Sequence, residues 1–237
     1  LIDCCRKNIS AKEFFSRSKL LLRKEIHNLY DVASLDRSYD IDSSFYFGMR
    51  KGLSMNYGGN NALKIIKKIK EMGFETGVHG VEFEDFLRMK EEKCLYEQLL
   101  KEDAEGIRIH YVRLNESTLQ NLDKVGYKYD SSEFDKGKGT CLKQHYKIGN
   151  MWEFPLCLMD VYLPKGFRNK QDESIRLIKR AEENGVKYFT ILSHDFYYNE
   201  MFSEFKNWYE WLLQWLLEQG YQFTSYKDAI RELEQIN

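Results

Sequence analysis

Glycine closes one amphipathic helical stretch after another along this chain, and each closure is followed by a short apolar run. Residues 62–72 (ALKIIKKIKEM) set Leu63, Ile66, Ile69 and Met72 at helical spacing with lysines opposite, and Gly73 stops them. Residues 74–79 then read as a strand, and charge pairing with an apolar period predicts a helix over 83–102. Gly106 opens the strand-like IRIHYV, Ser117 is placed to cap a short helix through Val125, and Gly126 precedes YKYDSS. The apolar run 152–163 is punctuated by Pro155, a helix is expected over 173–184 with Gly185 as its stop, and KYFTILSHD is the next strand. A tryptophan-rich helix over 200–219, a short strand (YQFTS) and a last helix from Tyr226 complete the pattern. Upstream, 11–35 reads as mostly helical and 41–47 (IDSSFYF) as another strand. Strands that alternate with helices throughout predict a parallel β/α architecture with right-handed crossovers, closed or nearly closed into a barrel.

Nothing divides that pattern. The 237 residues contain only 2 prolines and no internal repeat or low-complexity tract, so a single domain over 1–237 is expected. With 43% hydrophobic and 15% aromatic residues the chain has the material for a sizeable core. Lys plus Arg at 36 against Asp plus Glu at 37 leaves a formal charge of -1, which argues against a nucleic-acid partner. No run approaches the roughly 18 apolar residues of a membrane span, and no signal peptide is recognised. Cys4, Cys5, Cys94, Cys141 and Cys157 are odd in number and lack CxxC spacing, which suits a reducing compartment; a cytoplasmic location is the expectation.

In β/α barrels the chemistry gathers at the carboxyl ends of the strands. Those ends carry His79; Arg108, His110 and Arg113 in GIRIHYVR; Asp130 in YDSS; Glu153 and Asp160 in WEFPLCLMD; and His194 with Asp195 in ILSHD. Three of the five histidines therefore fall beside acids and arginines, a composition able to bind a metal or move protons. Plainer readings stand beside this one. His79 could be a capping histidine, and Arg108 could pair structurally with Asp130 at the barrel mouth. The aromatic run 202–215 reads as a helix packed on the barrel rather than a sugar platform. His27 and His145 read as surface residues. The KGKGT loop is no phosphate cradle, because no helix start follows it.

The order SSFYF, ETGVHG, GIRIHYVRL, GYKYDSS, WEFPLCLMD and ILSHD resembles the polysaccharide deacetylases of the NodB-homology type, carbohydrate esterase family four, in a divergent branch. The resemblance runs from about Leu20 to the C-terminus. It implies a deformed, incomplete (β/α)7 barrel, a divalent metal (zinc), and an acetylated carbohydrate as substrate. By the same resemblance His79 matches the first histidine of the metal-binding HxxxH motif, Arg108 the arginine that orients a catalytic aspartate, and His194 the late histidine that acts as general acid. Arg113, Asp130 and Asp160 are then expected at the substrate. Such chemistry suits these residue types: a metal polarises the acetyl carbonyl and brings its bound water to a pKa of roughly 7, a carboxylate takes the proton, and a histidine protonates the departing amine.

The chain departs from that pattern in three places. Phe83 stands where the second histidine of HxxxH belongs, so Glu82, Glu84 or His110 is the expected substitute ligand. His110 itself replaces a proline of the arginine motif. The opening pair of aspartates is reduced to Asp3 in LIDCC, which is the candidate catalytic base. Two readings of function follow from the same fold: a metal-dependent hydrolase that deacetylates an amino sugar or polysaccharide precursor, and a carbohydrate-binding pseudoenzyme. A barrel hydrolase acting on a phosphoester is a third, and it would want more histidine and aspartate ligands than this chain supplies.

Overall fold

The computed structural model describes residues 27–52, 55 and 57–235. Asp3, Cys4, Cys5 and most of the upstream helical stretch lie outside the described residues. Chain order from there is α1 (Leu29–Ser38), β1 (Ser44–Phe47), α2 (Gly59–Glu71), β2 (Glu75–Gly80), α3 (Phe86–Leu100), β3 (Gly106–Ile109), α4 (Thr118–Val125) and β4 (Tyr129–Asp130). A hairpin of β5 (Tyr146–Ile148) and β6 (Met151–Glu153) follows, then β7 (Leu156–Met159), α5 (Phe167–Glu183), β8 (Thr190–Leu192), α6 (Ser203–Glu218) and α7 (Tyr226–Gln235). Short 3-10 turns leave the ends of β3, β7 and β8, at His110–Val112, Asp160–Tyr162 and Asp195–Tyr197.

The strands form one six-stranded sheet in the order β1-β2-β3-β4-β6-β5 and a separate parallel pair, β7-β8. All pairings in the larger sheet are parallel except β5 with β6. The expected α/β architecture is therefore present, and the barrel is open. A physical cause of the break between β6 and β7 is Pro155, which has no N–H to give a ladder. The next N–H, of Leu156, turns to Glu133 O at 2.8 Å instead.

Amphipathic spacing explains how the helices seat. Ile66 and Ile69 of α2, predicted to face inward, are fully buried against Phe45 and Val78 of the strands. Gly73 ends that helix with φ 88, and its N–H caps Lys70 O at 2.8 Å. The aromatic run of α6 packs as a helix: Trp208, Tyr209, Leu212, Leu213 and Leu216 are buried, and Trp208 Nε1 donates to Ser174 Oγ of α5 at 3.0 Å. Burying all of such an indole is worth several kcal/mol.

Several local expectations are corrected. YQFTS runs on from α6 without pairing into a strand, and KYFTILSHD keeps only three laddered residues. IRIHYV breaks at His110, because Tyr111 and Val112 take left-handed backbone (φ 59 and 43). Ser117 precedes α4 without a side-chain cap bond; its Oγ goes to Asn115 Oδ1. His145 is half-buried rather than a surface residue, with its ring against Trp152, Phe154 and Tyr188, and burial lowers its pKa. No helix among the described residues is long and apolar enough to cross a membrane. Cys94, Cys141 and Cys157 are free thiols.

Candidate active site

His79 is the fifth residue of β2 and pairs in register with Arg108 of β3. Its ring Nδ1 lies 3.0 Å from Arg108 O, and since a carbonyl only accepts, Nδ1 carries the proton. The lone pair of the neutral ring is thereby placed on Nε2, 2.9 Å from His110 Nδ1. Burial, reinforced by His110 and Arg108, lowers the His79 pKa to about 3, so the ring stays neutral over the whole physiological range. A buried, neutral imidazole whose tautomer is fixed by a backbone carbonyl is in the state a metal ligand needs.

His194 follows β8 and is held by Asp160, which follows β7. Ring Nδ1 donates to Asp160 Oδ1 and the backbone N–H of His194 donates to Asp160 Oδ2, each at 2.7 Å. Asp160 is 1% exposed while the His194 side chain is 44% exposed, so the carboxylate sits behind the ring and the ring meets solvent. Burial lowers the His194 pKa, but the hydrogen bond and charge of Asp160, with Asp195 adding, outweigh it and the net shift is upward. An imidazolium backed by a carboxylate presents its Nε2–H outward, as a general acid must.

A cavity of about 450 Å³ joins His79 to His194; its walls also include Tyr46, Tyr57, Arg108 and Tyr226. Arg108 is 8% exposed and lies with its guanidinium carbon 4.6 Å from the Tyr46 ring centroid. Nε donates to Ser131 O at 2.9 Å, and Nη2 donates to Ser131 Oγ at 3.0 Å and to the Tyr226 hydroxyl at 2.9 Å.

The sequence candidates thus separate into two groups. His79, His110, Arg108 and His194 come together. Asp160 supports His194 from behind. Asp130 is wholly buried behind the cavity wall, and the direct partners of Arg108 are Ser131 and Tyr226. Arg113 braces loops: Nε donates to His110 O, Nη2 donates to Val81 O, and the guanidinium covers the Phe83 ring. Tyr226, 118 residues beyond Arg108, carried no local sequence signal for this role.

The donor set for a divalent ion can be tested on these contacts. His79 Nε2 and His110 Nδ1 converge, and a modest opening of that pair gives two imidazole ligands. Phe83 supplies none, and Glu82 is spent on its own turn, where Oε1 accepts from the N–H groups of Phe83, Glu84 and Asp85. Among the described residues no three His, Cys, Asp or Glu side chains gather as a cage. Two histidines fit the ion as part of a set.

The fold is that of an open β/α barrel. The particular fold is that of the polysaccharide deacetylases of carbohydrate esterase family four. The Xyl-CE4 domain of a multidomain xylanase from the hindgut metagenome of Trinervitermes trinervoides superposes with a TM-score of 0.51 at 15% identity, over 86% of this chain and 84% of that one. A CE4 family pseudoenzyme from Bacillus anthracis superposes at 0.53 and 11% identity, over 85% of this chain and 59% of that one. A candidate polysaccharide deacetylase from Mycobacterium smegmatis gives 0.52 at 14% identity, over 81% and 78%. No family model matches the chain, and no curated protein matches it in sequence.

Proposed function

We propose that this chain is a divergent polysaccharide deacetylase, a hydrolase that removes acetyl groups from an amino sugar or a polysaccharide precursor in the cytoplasm. The observation that supports the reading is the Asp160-backed His194 facing the same cavity as His79, whose Nε2 lies 2.9 Å from His110 Nδ1. A divalent ion, zinc by its preference for imidazole, would be held by His79 and His110 and would polarise the acetyl carbonyl. His194, held as a single tautomer by Asp160, delivers the proton to the departing nitrogen. Arg108 places a fixed positive charge at the cavity wall, suited to steadying a carboxylate or a developing oxyanion. Asp3 remains the proposed base. Acetate release from acetylated amino-sugar oligomers, compared between wild type and His194→Ala, tests the reading; equal rates would overturn it.

One specific observation favours a second reading. His79 and His110 already satisfy one another, and Phe83 removes an expected ligand, which suits a carbohydrate-binding pseudoenzyme. Sugar binding without acetate release would select it.

A further inference from the structure

The parallel ladder of β4 and β6 sets Asp130 and Glu153 directly opposite one another, and both are 0% exposed. Two carboxylates at one register position, without solvent, cannot both stay ionised, because desolvation and mutual repulsion oppose the second charge. Their hydrogen bonds show how the conflict is resolved. Asp130 Oδ1 accepts from Ser132 Oγ at 2.6 Å. Glu153 Oε1 accepts from the backbone N–H groups of Ser132 at 3.2 Å and Glu133 at 2.9 Å. That leaves Asp130 Oδ2 and Glu153 Oε2, buried and with no other partner among the described residues. A proton between them satisfies both. Burial raises both carboxyls, and the charge of Asp130 pushes Glu153 further, well above the carboxyl range. The pair therefore holds one proton and one negative charge between these two buried oxygens.

The adjoining turn connects this pair to the cavity. Ser132 Oγ, which donates to Asp130, accepts from the Ile109 N–H at 2.7 Å. Ser131 takes both Arg108 bonds described above and anchors its own Oγ on Phe154 O at 2.8 Å. Among the described residues the Arg108 side chain is bonded to neutral groups in this turn and to Tyr226, while the charge of Asp130 stabilises it through space. The other groups facing the pair are Tyr127, Glu133, Cys141 and Tyr146. Burial raises Tyr127, Cys141 and Tyr146, which keeps them neutral, and Glu133 is paired with Lys143.

We propose that Asp130 and Glu153 form a carboxyl pair sharing one proton, and that this pair positions Arg108: its single negative charge, set behind the Ser131–Ser132 turn, balances the buried guanidinium and keeps it at the cavity wall beside His79. Glu153 and Asp130 are positioning residues and touch no substrate. The consequence for catalysis rests on the role given to Arg108 above; the shared proton does not.

Two measurements on the whole chain test this without requiring turnover. Infrared difference spectra at about pH 7, above the ordinary carboxyl range, compare wild type with Glu153→Gln. The wild type should show a protonated carboxyl that vanishes in the variant, whose amide can donate to Asp130 as the acid does. No such band in the wild type overturns the shared proton. The second measurement follows the Arg108 Nε–H resonance by NMR. Glu153→Gln should leave it in place, whereas the double variant Asp130→Asn/Glu153→Gln, which removes the charge, should shift it or speed its exchange about tenfold, the factor for some 1.4 kcal/mol. An unmoved resonance in the folded double variant overturns the positioning role. If the double variant does not fold, a wild-type resonance that stays unmoved while the carboxyl band of the pair disappears on raising pH does the same. Failure of the wild type to release acetate bears on the deacetylase reading alone.

Discussion

Asp160 holds His194 at two points, through the ring and through the backbone, at 2.7 Å each. The ring is therefore fixed in rotation as well as in tautomer, since the same carboxylate that bonds Nδ1 also pins the strand end that carries it. His194→Ala should lower acetate release by about 10²–10⁴-fold, the range for losing acid–base assistance. Sugar affinity should change little. A purely structural histidine would instead lose melting temperature and keep activity per folded molecule.

Asp160→Asn tests the same pair through pH. The His194 pKa in the folded chain is raised above its unfolded value, so the pair's contribution to stability is fully present below the unfolded pKa and is lost as pH rises through the folded one. Without the carboxylate the His194 pKa should fall. The alkaline limb of the rate profile should move to lower pH, and the stability gain on the acid side should disappear. A pH–rate profile and melting curves at matched pH values check both; an unmoved alkaline limb would count against His194 as the acid.

His79→Ala addresses the metal. Added zinc should raise the melting temperature of the wild type by binding the folded state, and the variant should lose most of that rise while remaining folded. Because His79 is neutral down to about pH 3, the zinc effect should weaken in acid through groups other than this ring. Differential scanning fluorimetry with and without zinc reads the difference, and an equal rise in both proteins would exclude His79 as a ligand.

Glu92 gives a pH signature of the same sign, over a lower pH range. It is 1% exposed and its carboxylate accepts from the N–H groups of Val81 and Glu82, yet burial outweighs those bonds and raises its pKa to about 7. A raised carboxyl pKa favours folding while the group is protonated. This contribution is present below the unfolded pKa and lost as pH rises towards 7, with a span on the order of 3 kcal/mol. Glu92→Gln should flatten stability between about pH 5 and 8. Urea denaturation across that range measures it, and an unchanged slope would refute the assignment.

Gly106→Ala should be costly for a steric reason. A Cβ there would lie 2.0 Å from the buried Tyr129 ring, which is itself stacked on Tyr226 at 4.4 Å. Overpacking of this kind typically costs about 1–3 kcal/mol. Because Tyr226 also holds Arg108, activity should fall along with melting temperature.

The helices were legible because their seating depends on local period and on glycine stops such as Gly73 and Gly126. The strands were legible as existing but not in extent: YQFTS has strand composition, and only the sheet decides whether an extended segment finds a partner. The β5–β6 hairpin was missed although Gly149 and Asn150, flanked by Ile148 and Met151, form a recognisable two-residue turn with Gly149 at φ 57. The strand-end placement of His79, Arg108 and His194 was readable, and so was that of His110 and Asp160. The bonds their side chains make were not. Asp160 lies 34 residues before His194, and its bond depends on β7 and β8 pairing. The Asp130–Glu153 contact likewise exists only through a sheet register.

The break at Pro155 divides the site as well as the sheet. His79, His110 and Arg108 ride on the six-stranded sheet, while His194 and Asp160 ride on the two-stranded pair. Among the described residues no ladder of backbone hydrogen bonds joins the two. Beyond the short link from Glu153 to Leu156, their separation is set by side-chain packing, chiefly the apolar cluster that holds Leu158 of β7 together with Ile107, Phe45 and buried residues of α6. Backbone ladders are stiff and shared by many bonds, whereas a packed seam yields to the volume of single side chains. The spacing between proton donor and imidazole pair is thus an adjustable dimension of this protein, open to tuning from core positions that never touch a ligand.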